Sequence, residues 1–194
     1  MRIASIGRNT KETKIMLELN LDGTGVYEIH TGVSFFDHML AQIARHGLLD
    51  LNITANGDLE VDSHHTVEDT GIVLGQAIKK ALGEKNGIQR YGSAYVPMDE
   101  ALALAVIDLS GRAYLRFKAE LGQGHLGNFD LELVEEFFRA VAFTAGFNLH
   151  LHLLEGSNSH HCVEAIFKAF GRALAAAVKI DERVTEVPST KGTL

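Results

Sequence analysis

The chain has 194 residues, 46% of them hydrophobic and 22% charged, with a net charge of −7 and a pI near 5.8. That length suits one large domain or two small, closely packed ones, and the acidic balance excludes a general nucleic-acid surface while leaving room for local basic pockets. The lone Cys162 excludes an internal disulfide framework, and the longest apolar run, residues 101–107, falls well short of the roughly 18 residues of a membrane span. With no signal-peptide pattern at its start, the chain is expected to be soluble and cytoplasmic.

Residues 2–29 read as strands. Ile15, Leu17, Leu19 and Leu21 alternate with more polar neighbours, and Asp22-Gly23-Thr24-Gly25 predicts a hairpin turn into residues 26–29. A helix follows, with Phe36, Met39, Leu40 and Ile43 at helical spacing and Gly47 as its predicted stop. Leu49, Leu51 and Ile53 alternate with Asp50 and Asn52, which predicts a strand with one buried face. After an Asn56-Gly57 turn, a second helix buries Val67, Leu74, Ile78 and Ala81, with Asp62 or Ser63 as its N-cap. Gly83 and Gly87 close this half.

The second half repeats the first. Asn20-Leu21-Asp22-Gly23 returns as Asp108-Leu109-Ser110-Gly111. The helix stripe Phe36, Met39, Leu40, Ile43 returns 98 positions later as Val134, Phe137, Phe138, Val141, and the strand 49–53 returns at the same offset as 147–151. The chain is therefore expected to be one domain, residues 1–194, built from two pseudo-symmetric halves of about 1–87 and 88–194 by tandem duplication of a strand-hairpin-helix-strand-helix unit. The predicted class is α/β, an α+β sandwich with helices packed between two mixed four-stranded sheets.

The repeat also carries the chemistry. His64-His65-Thr66-Val67-Glu68 has a second copy, His160-His161-Cys162-Val163-Glu164, 96 positions on. Successive helical residues lie about 100° apart, so His64 shares a face with Glu68, and His160 with Glu164. His65 and His161 point elsewhere, so one ion cannot easily take a whole motif. Two ions can, each holding the His/Glu pair of one motif and the remaining histidine of the other. The alignment of the halves adds His38 and its counterpart Glu136. One expected set is His38, His65, His160 and Glu164, the other His64, Glu68, Glu136 and His161. Mixed imidazole and carboxylate ligands suit Mn, Zn, Fe, Co or Ni. His46 stands near a helix C-terminus, His150 and His152 share one strand face, and His30 and His125 read as loop residues. Arg90, Arg112 and Lys168 near the motifs, and Ser189-Thr190-Lys191 in the tail, are compatible with a phosphate or with ordinary surface charge.

With these residues assembled, the chain resembles the imidazoleglycerol-phosphate dehydratase family of histidine biosynthesis. The matching segments are Phe36-Asp37-His38-Met39-Leu40, Ala44-Arg45-His46-Gly47, residues 62–69, residues 157–168 and residues 188–194, and the likeness runs from Thr10-Lys11-Glu12-Thr13 to the end. The resemblance implies a hydro-lyase that removes water from imidazoleglycerol phosphate, a small phosphorylated imidazole substrate, to give imidazole-acetol phosphate. It implies two Mn(2+) per active site and a homo-oligomeric shell of 24 subunits with sites between subunits, with no nucleic-acid or membrane partner. Carried over by position, Arg90, Arg112, Lys168, Ser189, Thr190 and Lys191 look like phosphate-site residues, with Gln42 nearby. Glu12 looks like a substrate-contacting proton carrier, and His65, Glu68 and Glu164 look like the other catalytic residues. Some relatives carry His at the position of Glu136 and Ser at that of Thr190. The proton lost from the substrate is not next to a carbonyl, so chemistry at the imidazole ring, polarised by two cations, is needed to expel the hydroxyl. A dinuclear phosphomonoesterase and a metal-storage shell are the other classes compatible with the same donors.

Overall fold

A computed structural model describes residues 1–194. Ten strands and four helices follow in order: β1 (Ile3–Asn9), β2 (Thr13–Asn20), β3 (Tyr27–His30), α1 (Ser34–Gly47), β4 (Asp50–Gly57), α2 (His64–Leu82), β5 (Tyr91–Met98), β6 (Ala101–Asp108), β7 (Tyr114–Lys118), β8 (His125–Leu126), β9 (Phe129–Asp130), α3 (Leu133–Ala145), β10 (Asn148–Glu155) and α4 (Ser159–Val178). One sheet has the order β1-β2-β4-β3 and the other β5-β6-β10-β7, with β8 and β9 forming a separate ribbon. In both large sheets the last pairing is parallel and the others antiparallel. This is an α+β fold with mixed sheets, as the alternating and helical patterns predict.

The helices lie between the sheets. α2 packs on β1 and β2, and α4 on β5 and β6. Between these layers α1 meets α4, and α2 meets α3, so each helix pair joins one half of the chain to the other. Alternation in β2 explains the inner face: Ile15, Leu17 and Leu19 are buried while Lys14, Met16 and Glu18 face out. The buried apolar side chains of both halves form one continuous core. Its centre is aromatic, with Phe36 edge-on to Phe137 at 5.2 Å and Phe137 stacked on Phe167 at 5.4 Å. Such pairs add about 0.5–1.5 kcal/mol each beyond their burial. No helix is long and apolar enough to cross a membrane.

Three local expectations need correction. Residues 22–25 do not form a hairpin. Asp50, at the start of β4, accepts the backbone N–H groups of Thr24 at 2.8 Å and Val26 at 3.1 Å, which wraps the loop around β4. β4 then occupies the free edge of β2, and β3 pairs parallel to β4 on its far side. The actual hairpin is β1–β2, turning at residues 10–12. Gly47 is the last helical residue of α1 and not its stop; Leu48 takes the left-handed cap, φ 53°, that Gly146 takes at the end of α3, φ 73°. Gly47 serves instead the crossing of α1 and α4, where a Cβ would stand 3.0 Å from the Gly171 carbonyl oxygen. At the start of α2, Ser63 holds the N-cap position without a side-chain cap, and Asp62 accepts the His64 N–H at 2.8 Å.

Candidate metal centre

The helix starts place the motif histidines. α2 begins at His64, and α4 at Ser159, where the Asn158 side chain accepts the His161 N–H at 3.2 Å. In α4 this first turn puts His160 and Glu164 on one face, as four-residue spacing requires, with His160 Nε2 3.0 Å from Glu164 Oε2. The crossing of α1 over α4 brings His38 to the same oxygen, at 3.1 Å from its Nε2. The donor atoms of His38, His160 and Glu164 all lie within 4.8 Å of one another. Phe35, edge-on to His160 at 5.2 Å, supports its ring.

Glu164 is buried, with 7% of its side chain exposed, and its other oxygen is 2.6 Å from Lys168 Nζ. Burial is the largest influence on this carboxyl and works against ionisation, but the bonds from Lys168, His38 and His160 outweigh it and lower the pKa. Two imidazoles and an ionised carboxylate converging on one point fit a borderline divalent ion. Gln42, one turn along α1, is 3.3 Å from His38 Nδ1, which ties the far side of that ring.

The other donors are arranged less compactly. His64 Nε2 lies 3.9 Å from Glu68 Oε2, and His64 lines a cavity of about 220 Å³ with Asp62, His125 and Glu132. His125, read from the sequence as a loop residue, therefore sits beside this pair. Glu136 does not join it; its carboxylate is 3.5 Å from Arg139 Nε. His65 and His161 stand apart from both clusters. His65 Nδ1 meets the Asp58 carboxylate at 3.0 Å, and His161 Nδ1 meets Glu100 at 2.7 Å. These bonds, the largest influence in each case, raise the pKa of both histidines, and the His161 bond with the Asn158 N–H holds Glu100 down to about 2.

Within one chain, then, His38, His160 and Glu164 come together, and His65 does not reach them. His64 and Glu68 come together, and Glu136 and His161 do not reach them.

A second feature is the basic cavity under the tail, about 730 Å³, lined by Arg90, Arg112, Ser189, Thr190 and Lys191 among others. Arg90 grips Asp108 through Nε at 2.7 Å and NH2 at 3.2 Å, and donates from NH1 to the Pro188 carbonyl at 2.9 Å. That carboxylate raises its pKa. Arg90 thus binds the tail to the sheet, leaving the Arg112 guanidinium and the Lys191 ammonium more open to a ligand. Lys168 and Gln42, grouped with these residues from the sequence, lie within one chain beside Glu164 and His38.

Glu12 is exposed at the tip of the β1–β2 hairpin, and its backbone carbonyl accepts the Asp58 N–H at 3.1 Å. The hairpin is fastened from behind. Asp69, buried on α2, accepts from Thr13 Oγ1 at 2.5 Å and pairs with Arg8 at 2.9 Å. Sequence reading missed Asp58, Glu100 and Asp69 as supporting residues. A signal existed for Glu100: the repeat of Asn20-Leu21-Asp22-Gly23 at 108–111 has an offset of 88, which maps Glu12 onto Glu100. The remaining histidines lie elsewhere. His150 and His152 share the outer face of β10 with Tyr114, where burial lowers the pKa of His152, and His46 lies near Tyr95 and Arg172.

Comparison with known proteins identifies the family. The family model described as imidazoleglycerol-phosphate dehydratase matches residues 31–174. The chain is 64% identical over 189 residues to the imidazoleglycerol-phosphate dehydratase of Acetivibrio thermocellus, covering 97% of each chain. It is 61% identical over 193 residues to that of Lachnoclostridium phytofermentans, covering 100% of this chain and 98% of the relative. Among solved structures, the enzyme from Staphylococcus aureus subsp. aureus N315 superposes with a TM-score of 0.84 at 45% identity, covering 92% of this chain and 99% of that one. The enzyme from Pyrococcus furiosus, in complex with (S)-C348, gives a TM-score of 0.84 at 38% identity, covering 97% and 100%. From whole-length identity, matching fold and paired His-His-x-x-Glu motifs, this chain belongs to the imidazoleglycerol-phosphate dehydratase family.

Proposed function

We propose that the chain is a hydro-lyase of histidine biosynthesis that removes water from imidazoleglycerol phosphate to give imidazole-acetol phosphate. The observation that carries this reading is the convergence of His38, His160 and Glu164, from two crossing helices, in a chain related along its whole length to dehydratases. The solved relatives are dehydratases and not phosphoesterases, which favours elimination over phosphate hydrolysis.

In this reading His38, His65, His160 and Glu164 hold one ion, and His64, Glu68, Glu136 and His161 the other, both Mn(2+). Bound ions supply Lewis acidity at the substrate's imidazole ring. The remaining work falls to the chain. Arg112, Lys191 and the hydroxyls of Ser189 and Thr190 hold the phosphate, while Arg90 keeps the tail in place through Pro188. Glu12, free at its hairpin tip, carries a proton between the substrate carbon and the departing hydroxyl. Lys168 keeps Glu164 charged and oriented.

The separation of His65 and His161 from the clusters they are expected to complete supports sites assembled between subunits of a 24-subunit homo-oligomer in the cytoplasm. The matched strand orders and the single core support one domain of two duplicated halves, about 1–87 and 88–194.

The test is turnover of imidazoleglycerol phosphate by purified protein with Mn(2+), followed as ketone formation. Release of inorganic phosphate without ketone would assign a phosphomonoesterase instead.

A further inference from the structure

His65 and His161 hold equivalent places, second in their motifs, and each has a carboxylate on Nδ1. Asp58 lies 3.1 and 3.0 Å from His65 Nδ1 through its two oxygens, and Glu100 lies 2.7 Å from His161 Nδ1. The two acids do not hold equivalent places. β1–β2 and β5–β6 share one register at an 88-residue offset, since Ile3 pairs with Asn20 and Tyr91 with Asp108. The counterpart of Glu100 is therefore Glu12. The counterpart of Asp58, at the offset of 98 that relates the neighbouring strands, is Gly156. A hairpin tip serves one histidine and the end of a strand serves the other, yet both arrive at the same ring nitrogen.

Both acids are held in place. Glu100 Oε1 accepts the N–H groups of Asn158 at 2.7 Å and Ser157 at 3.3 Å, and the Asp58 N–H donates to the Glu12 carbonyl at 3.1 Å. An ionised carboxylate can only accept, so it requires Nδ1 to carry the proton. A neutral ring then has its lone pair on Nε2. Asp99, 3.9 Å from His161 Nε2, is too distant to compete as a hydrogen-bond partner.

We propose that Asp58 and Glu100 are positioning residues that fix His65 and His161 as Nδ1–H tautomers, so that each ring presents Nε2 to a metal ion. The proposal deepens the two-ion reading and rests on it. It also accounts for the difference between the two hairpin tips. Asp58 occupies His65 in the first half, so the tip glutamate there, Glu12, is left free for substrate. In the second half the tip glutamate, Glu100, is spent on His161.

The test uses the full chain with Glu100→Ala, Glu100→Gln, Asp58→Ala and Asp58→Asn. Asn158→Ala is the control, since it loosens the start of α4 without touching His161 Nδ1. Mn(2+) affinity is measured by competition with a chelating dye, and imidazole 15N shifts of metal-free protein report the tautomer. Each alanine variant is expected to bind one of two ions roughly tenfold to a hundredfold more weakly and to lose the Nδ1–H signature of its own histidine. The amide variants keep an acceptor and should stay within about fivefold of the parent, below the loss expected of the alanine variants. An unchanged tautomer in Glu100→Ala and Asp58→Ala would overturn the proposal. So would an equal loss of affinity in Asn158→Ala. Because the tautomer is read without metal, this failure is distinct from failure of the two-ion reading, which would show as a parent chain that binds fewer than two ions.

Discussion

Gly171→Ala tests the helix crossing on which the three-donor centre depends. α1 carries His38, α4 carries His160 and Glu164, and the helices touch where Gly47 passes Gly171. A Cβ on Gly171 would stand 2.8 Å from the Ile43 carbonyl oxygen, 3.1 Å from the Ile43 Cα and 3.3 Å from the Gly47 nitrogen. All three are backbone atoms, so relief comes only from moving α1 as a body. Overpacking of this kind costs about 1–3 kcal/mol. Alanine's better helix propensity returns about 1 kcal/mol. The net loss is about 1 kcal/mol, or about 2–4 °C in Tm for a chain of this length. Metal binding should suffer more, because ligand distances tolerate only about 0.2 Å and α1 must shift by more than that. We expect at least a tenfold loss of Mn(2+) affinity by dye competition, beside a small drop in the denaturant midpoint of the metal-free protein. A variant that gains the full propensity benefit and binds metal like the parent would refute this account of the crossing.

Four further outcomes are expected. His64→Ala and His161→Ala should empty one ion position and His65→Ala and His160→Ala the other, which anomalous diffraction can distinguish; loss of the same ion from His64→Ala and His65→Ala contradicts the partition. Lys191→Ala, or truncation before Ser189, should weaken substrate binding roughly tenfold to a hundredfold, the worth of one charged hydrogen bond, with metal content unchanged. Asp69→Ala should destabilise the chain by about 1–3 kcal/mol in denaturant titrations, because it leaves Thr13 Oγ1 without its buried partner and frees the partly exposed Arg8. Chelation should shift the protein to smaller oligomers that reassemble when manganese returns, by mass action; a metal-free full-size assembly in sedimentation at low protein concentration shows that metal does not drive assembly.

Periodicity carried much of the fold. The alternation in Ile15, Leu17 and Leu19 and the stripe Phe36, Met39, Leu40 and Ile43 are direct records of which face is buried, and a repeat at a fixed offset records them twice. Partner choice left no such trace. β4 lies between β2 and β3, and the reach of Asp50 to the Thr24 and Val26 amides, which holds the intervening loop around it, is a tertiary fact. Gly47 looked like a stop because helix ends and helix crossings both select glycine. In the metal centre, four-residue spacing identified His160 with Glu164. The meeting of His38 with them depends on the α1–α4 crossing, and only the alignment of the halves hinted at it. Asp58 was silent because a surface carboxylate near a turn is the commonest of features, and Glu100 was marked only by the 88-residue offset that maps Glu12 onto it. What marks them is the nitrogen they touch.

The exchange of helix partners between halves bears on how the chain is made. A ribosome delivers residues 1–87 first, with α1 and α2 complete but with α4 and α3, the helices that cover them, still to come. During that interval α1 and α2 can cover only the strands of their own half, and the faces they turn to α4 and α3 stay open, although Phe36, Met39, Leu40 and Leu74 are at most 1% exposed once the chain is whole. The nascent first half is thus a sticky intermediate, and synthesis of some fifty further residues, at roughly 5–20 residues per second, must pass before α3 arrives. Chaperone demand should concentrate in those seconds, and separately expressed halves should be recovered as folded material only when mixed.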